Sequence, residues 1–257
     1  MSAENAVKIT ELSFAYDQTP ALAGVNLEIK KNDFACIVGP NGGGKSTLLK
    51  LILGILKPDT GTVSVLGNSP QKARSKIGYL PQYFRVDPAF PATVFDVVLT
   101  GTLATASWLG PYRKKNRQAV LRALKNLAIA DLKSRQISEL SGGQLQRVMI
   151  ARALAGDPEV LLFDEPTASL DVKAGQQFNQ LLADLNNHRT VIVVSHDLDF
   201  ASEHLKNVIC VDRQVRIHPT AELTAENIRH MLGTGLRLVQ HEHDCIEKGC
   251  LGKEHKC

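Results

Sequence analysis

Phe34-Ala35-Cys36-Ile37-Val38-Gly39-Pro40-Asn41-Gly42-Gly43-Gly44-Lys45-Ser46-Thr47 runs from a continuous apolar stretch through a glycine-rich loop into a helical pattern that continues to residue 55. The order is strand, loop, helix. Positions 39–47 fit G-x-x-x-x-G-K-[ST], which cradles phosphate when it follows a strand and opens a helix. The glycines let backbone N–H groups fold around phosphate oxygens, the helix start adds partial positive charge, and Lys45 reaches the β and γ phosphates. Ser46 is placed to ligate Mg²⁺. A merely flexible glycine turn is the alternative, and its strand and helix flanks argue against it.

Two further apolar runs end at polar groups in the same way. Val160-Leu161-Leu162-Phe163 reaches Asp164 and Glu165, and Val191-Ile192-Val193-Val194 reaches Ser195 and His196. Runs of this kind suit parallel strands covered on both faces, and in such sheets ligands gather beyond the carboxyl ends of the strands. Gly, Asp-Glu and Ser-His delivered by three strands therefore point to one site. Asp164 is the expected Mg²⁺ carboxylate and Glu165 can polarise a water; as an isolated pair they would read instead as a helix start before Pro166, and the phosphate loop reverses that.

Upstream, residues 8–16 and 25–29 alternate apolar and polar, as half-buried strands do. Residues 83–155 are mostly helical in pattern, with Val120, Leu121, Leu124 and Leu127 as the apolar positions of the stretch 114–127. Residues 208–217 read as a hairpin on Asp212-Arg213-Gln214, followed by a short helix and a polar tail.

The chain has 257 residues, 44% hydrophobic and 22% charged, which places it with ordinary globular proteins and excludes a disordered, collagenous or coiled-coil chain. Thirty Lys and Arg against 26 Asp and Glu leave a net charge of +4 spread along the sequence, so nothing in it argues for a nucleic-acid partner. Five cysteines, three of them crowded at the C-terminus, do not make a disulfide framework. The start MSAENAVKIT has no stretch of secretory length and the apolar runs are too short to span a bilayer, so a reducing cytoplasm is expected. Any membrane crossing belongs to another chain.

Leu140-Ser141-Gly142-Gly143-Gln144 precedes a helix with Leu145, Val148, Met149 and Leu154 on its apolar positions. Its amides sit at a helix N-terminus, and two glycines allow an anion close approach. Ser141 and Gln144 also fit a capping box, which explains the two polar residues structurally but not the glycines between them. With these residues in view, the sequence resembles the ATP-binding cassette family from residue 7 to about 217. The elements occur in order: Tyr16 in FAYD for the adenine-stacking loop, GPNGGGKST, Gln82 in YLPQ, LSGGQ, VLLFDEP, Ser169-Leu170-Asp171, and His196 in VSHD.

The resemblance implies an α/β fold: a P-loop NTPase core with an N-terminal antiparallel β subdomain and an inserted α-helical subdomain. The ATPase domain is expected over residues 1–220, with the insertion at about 83–155 and a C-terminal helix and tail over 221–257. It implies ATP and Mg²⁺ as cofactors, the latter on Ser46, Gln82 and Asp164, and closure of ATP between the phosphate loop of one copy and Ser141, Gly142, Gly143 and Gln144 of another. A homodimer is therefore expected during turnover, with Glu165 as general base, His196 on the γ-phosphate, Gln82 sensing Mg²⁺ and Asp171 at the dimer seam. Integral membrane permease subunits and an extracytoplasmic substrate-binding protein would complete the complex at the cytoplasmic face of the membrane.

Residues 90–101, FPATVFDVVLTG, and the triple glycine 42–44 are similar to the zinc and manganese importer branch. Motors for iron-siderophore or cobalamin, and a soluble ATPase outside transport, stay open as alternatives. The tail carries His241, His243, Cys245, Cys250, His255 and Cys257. Such a tract offers ligands for Zn²⁺; the other reading is a polar terminus with incidental thiols.

Overall fold

The computed structural model describes residues 4–82, 91–105, 112–166, 172–195 and 205–219. Strands β1 (Asn5–Tyr16), β2 (Thr19–Lys30) and β4 (Thr60–Val65) form an antiparallel sheet of order β2-β1-β4. A second, six-stranded sheet has the order β5-β6-β7-β3-β8-β9, from β3 (Phe34–Val38), β5 (Ile77–Leu80), β6 (Val160–Asp164), β7 (Thr190–Val194), β8 (Asn207–Asp212) and β9 (Gln214–Pro219). Its first five strands run parallel, and β9 closes the edge as the antiparallel partner of β8.

The larger sheet is covered on both faces, which is why its strands are apolar without interruption. Along β3, Ala35 and Ile37 join the cluster that includes Leu22, Leu27 and helix α1 (Lys45–Ile52), so α1 lies between the two sheets. Phe34, Cys36 and Val38 face the other way, into a cluster that also holds the apolar sides of α3 (Val94–Thr100), α4 (Lys114–Asn126), α5 (Gly142–Leu154) and α6 (Val172–Asn186). Phe163 on β6 meets Phe178 on α6 edge to face, with ring centroids 6.0 Å apart. The short α2 (Pro70–Ala73) leads into β5.

Three local expectations are corrected. Helix α1 stops at Ile52 rather than residue 55, because Gly54 takes φ 66 and turns the chain out, leaving Ile55 exposed. Leu121 is 45% exposed; on α4 the inward stripe is Asn116, Val120, Ala123 and Leu124, so position 121 falls on the solvent side of the 3.6-residue period. The second strand begins at Thr19, not residue 25, since a tight turn at Asp17 (φ 52) pairs Tyr16 with Thr19 at once. The hairpin on Asp212-Arg213-Gln214 is present as read, with Arg213 at φ 56. The helix and tail expected beyond it lie outside the described residues.

Candidate functional site

Four parallel strands end on one edge of the sheet: β3 in Gly39, β5 in the segment to Gln82, β6 in Asp164 and Glu165, and β7 in Ser195. The sequence placed three of them there; β5 joins because it pairs with β6 in register, Leu80 against Phe163. A cavity of about 560 Å³ opens over this edge, lined by Tyr16, Asn41, the loop residues from Gly42 and Gly44 to Thr47, Gln82, Glu165 and Arg213.

The loop is built by conformation and by crowding. Gly39, Gly42 and Gly44 have φ of 148, 79 and 105, the region L side chains avoid. Gly43 is free of that constraint, but a Cβ on it would stand 2.7 Å from the Val211 carbonyl oxygen, so β8 itself excludes a side chain there. Lys45 is buried at the start of α1 and its ammonium donates to the carbonyls of Gly39 at 2.8 Å and Pro40 at 3.0 Å, folded back onto the loop. Ser46 is exposed beside it and Thr47 is buried.

Tyr16 ends β1 and is 43% exposed at the rim. Phe14 braces its ring edge to face at 5.0 Å, and the Thr47 hydroxyl reaches its phenol oxygen at 3.5 Å. An aromatic ring braced at the mouth of a cavity can stack on a planar ring system.

At the opposite end, Glu165 takes φ 47 and its N–H donates to the Val194 carbonyl at 2.9 Å, which turns its side chain out of the strand path. The Gln82 amide donates to the Glu165 carboxylate at 2.6 Å across 83 residues of sequence. Asp164 is 6% exposed; burial pushes its carboxyl up from the usual range, the neighbouring Glu165 charge pushes it further, and Lys45 and Lys50 oppose both. Burial and the Asp164 charge push the Tyr79 phenol up to about 12, so this tyrosine stays neutral beneath the carboxylates. The sequence reading missed Tyr79 and Arg213: each looked like an ordinary strand or turn residue, though arginine is an unusual choice where a hairpin needs positive φ.

Ser141, Gly142, Gly143 and Gln144 form the first turn of α5. The capping box is complete: the Gln144 N–H donates to Ser141 Oγ at 3.4 Å, and the Ser141 N–H to Gln144 Oε1 at 3.1 Å. Ser141, Gly143 and Gln144 line a separate cleft of about 470 Å³ with Gln146, Arg147 and Phe178, and share no residue with the cavity over the sheet. Gln146 donates to the Pro166 carbonyl, tying α5 to the turn after Glu165. His196, Asp171 and the six tail residues His241, His243, Cys245, Cys250, His255 and Cys257 lie outside the described residues. Among the described residues no cluster of His, Cys, Asp and Glu could hold a metal ion by itself, and no helix is long and apolar enough to cross a membrane.

The sequence profile of the ABC transporter family matches residues 22–168. The high-affinity zinc uptake system ATP-binding protein ZnuC of Bacillus subtilis is 38% identical over 212 residues, 81% of this chain and 92% of that one. The manganese transport system ATP-binding protein MntB of Listeria monocytogenes is 39% identical over 230 residues, 88% of this chain and 96% of that one. Among solved structures, the dimeric bacterial ABC transporter cassette MJ0796 superposes with a TM-score of 0.70 at 33% identity, covering 83% of this chain and 98% of that one. With a phosphate loop, an acidic strand end and a serine-glycine helix start set on this α/β frame, the chain belongs to the ABC transporter family, as one of its ATP-hydrolysing cassettes.

Proposed function

We propose that this ATPase powers uptake of a divalent metal ion, zinc or manganese, through a separate membrane permease fed by an extracytoplasmic binding protein, and that it works as a homodimer at the cytoplasmic face of the membrane. The importer reading is supported by the zinc and manganese systems to which its relatives belong and by the string at residues 90–101. The observation that carries the dimer is the separation of the two half-sites: phosphate loop and LSGGQ line different clefts that share no residue, which supports closure of a nucleotide between two copies.

In this reading Tyr16 stacks on the adenine, and Gly39, Pro40, Asn41, Gly42, Gly43 and Gly44 wrap the phosphates with Lys45. Thr47 completes the nucleotide-binding loop, and Ser141 and Gly143 of the second copy donate to the γ-phosphate. Asp164, Ser46 and Gln82 fit Mg²⁺ in chemistry: hard oxygen donors beside a buried carboxylate whose ionised form is destabilised without a cation. Bound there, Mg²⁺ neutralises charge on the β and γ phosphates. Glu165 accepts a proton from the attacking water, and Gln82, whose amide donates to that carboxylate, has to release it for the transfer. His196 contacts the γ-phosphate and Asp171 organises the seam between copies.

Glu165→Gln is expected to keep MgATP binding, lose a hundredfold or more of steady-state hydrolysis, roughly, and accumulate an ATP-bound dimer; full turnover would take the base away from Glu165. In cells lacking the chain, accumulation of radioactive zinc or manganese should be restored by the wild type and not by Lys45→Ala; unchanged uptake of both metals in the deletion strain would reject the cargo. The Cys/His tail is proposed to bind Zn²⁺ and throttle the ATPase. Removing residues 241–257 should then abolish inhibition by zinc and leave basal hydrolysis intact, and an identical zinc response in both chains would refute it.

A further inference from the structure

The hairpin between β8 and β9 turns on a single residue, Arg213, at φ 56. Glycine or asparagine holds that left-handed conformation with less strain than arginine. Both backbone groups of Arg213 are engaged: its N–H donates to the Gly43 carbonyl at 2.9 Å, and its carbonyl accepts from the Ala23 N–H at 2.8 Å. The turn is thus clamped between the phosphate loop and β2. Val211, two residues before it, is equally close to the loop, since a Cβ on Gly39 or Gly43 would stand 2.0 or 2.7 Å from the Val211 carbonyl oxygen. None of these contacts uses the arginine side chain, and any residue with a backbone N–H would supply the same bonds.

What the side chain adds is a cation on a residue that lines the nucleotide cavity together with Tyr16, Ala21, Asn41 and Lys45. Arg213 is exposed there, and it takes part in none of the ion pairs among the described residues. Lys45 and the loop residues line the same cavity, and a planar guanidinium is suited to bidentate contact with phosphate oxygens.

We propose that Arg213 is a further nucleotide-binding residue, its guanidinium donating to the phosphate chain of ATP from the hairpin side of the cavity. The proposal rests on the ATP reading of the site and adds a residue that lies outside every motif in the sequence. It also accounts for arginine at a position whose backbone favours glycine.

Arg213→Gly separates binding from folding, because glycine relieves the turn and keeps both backbone bonds. On the full chain, the thermal midpoint without nucleotide should be at or above the wild-type value. The Kd for MgATP by calorimetry should rise by about tenfold, the scale of one charge-assisted hydrogen bond. Arg213→Lys should recover part of the affinity, and the wild type should lose affinity with added salt more steeply than Arg213→Gly. Arg213→Asn, which also accepts positive φ, repeats the test should the glycine variant fold poorly. Wild-type MgATP affinity and salt dependence in the folded glycine or asparagine variant would overturn the proposal, while loss of binding in Lys45→Ala in the same assay would leave the ATP reading standing. A wild-type chain that bound no MgATP would overturn both.

Discussion

Replacing Gly143 by alanine distinguishes what the chain needs for its own fold from what it needs for a second copy. Gly142 and Gly143 are the first two residues of α5, neither has positive φ, and a Cβ built on either meets nothing within 4 Å. Gly39 and Gly101 differ: a Cβ there would stand 2.0 Å from the Val211 oxygen and 1.9 Å from the Arg152 oxygen. Alanine is favoured over glycine within a helix by about 0.5–1 kcal/mol, so Gly143→Ala should stabilise the isolated chain slightly. For a chain of this size that amounts to a rise of about 1–4 °C in the thermal midpoint. Nothing in the packing of the described residues explains the bare backbone; the anion proposed to approach this helix N-terminus would. A methyl group holds that anion off by roughly one C–C bond length and forfeits charge-assisted hydrogen bonds of about 1.5–3 kcal/mol. Turnover should therefore fall by about one to two powers of ten. The assays are thermal unfolding without nucleotide, phosphate release at saturating MgATP, and the yield of ATP-bound dimer in a Glu165→Gln background. Wild-type turnover and dimer yield in Gly143→Ala, or a midpoint lowered by more than about 5 °C, would refute the reasoning.

Gly101→Ala should do the opposite, because the Arg152 carbonyl belongs to α5 and cannot swing aside; a loss of about 1–3 kcal/mol with MgATP binding retained is expected, and an unchanged urea midpoint would contradict the packing. Asp164→Asn should raise the thermal midpoint of the nucleotide-free, chelator-treated chain near neutral pH while abolishing hydrolysis. Because the folded state raises the Asp164 pKa, its ionised form costs stability as pH rises through that pKa. The gain should fade in acid, where aspartate is protonated in folded and unfolded chains alike, and a midpoint lowered at neutral pH would show that the carboxylate is stabilising.

The phosphate loop, the capped start of α5 and the ends of β6 and β7 were legible in the sequence because each is local: glycine conformations, a serine-to-glutamine spacing and apolar runs express their physics within a few residues. Resemblance to the family supplied Tyr16 and Gln82, whose residue types alone say little. Strand pairing has no such local signature. Strands buried on both faces are apolar throughout, and nothing in Ile77-Gly78-Tyr79-Leu80 states that it pairs with β6 and so brings Gln82 to Glu165. Nor does Val211 announce that it lies against Gly39 and Gly43, or Arg213 that it lines the cavity over the sheet. The sequence by itself determined which groups can bind phosphate and the period on which each element turns its apolar side inward. Tertiary structure decided which of those groups meet, and why Gly43 has no side chain while Gly143 has room for one, because non-local contacts are selected by packing the whole core at once.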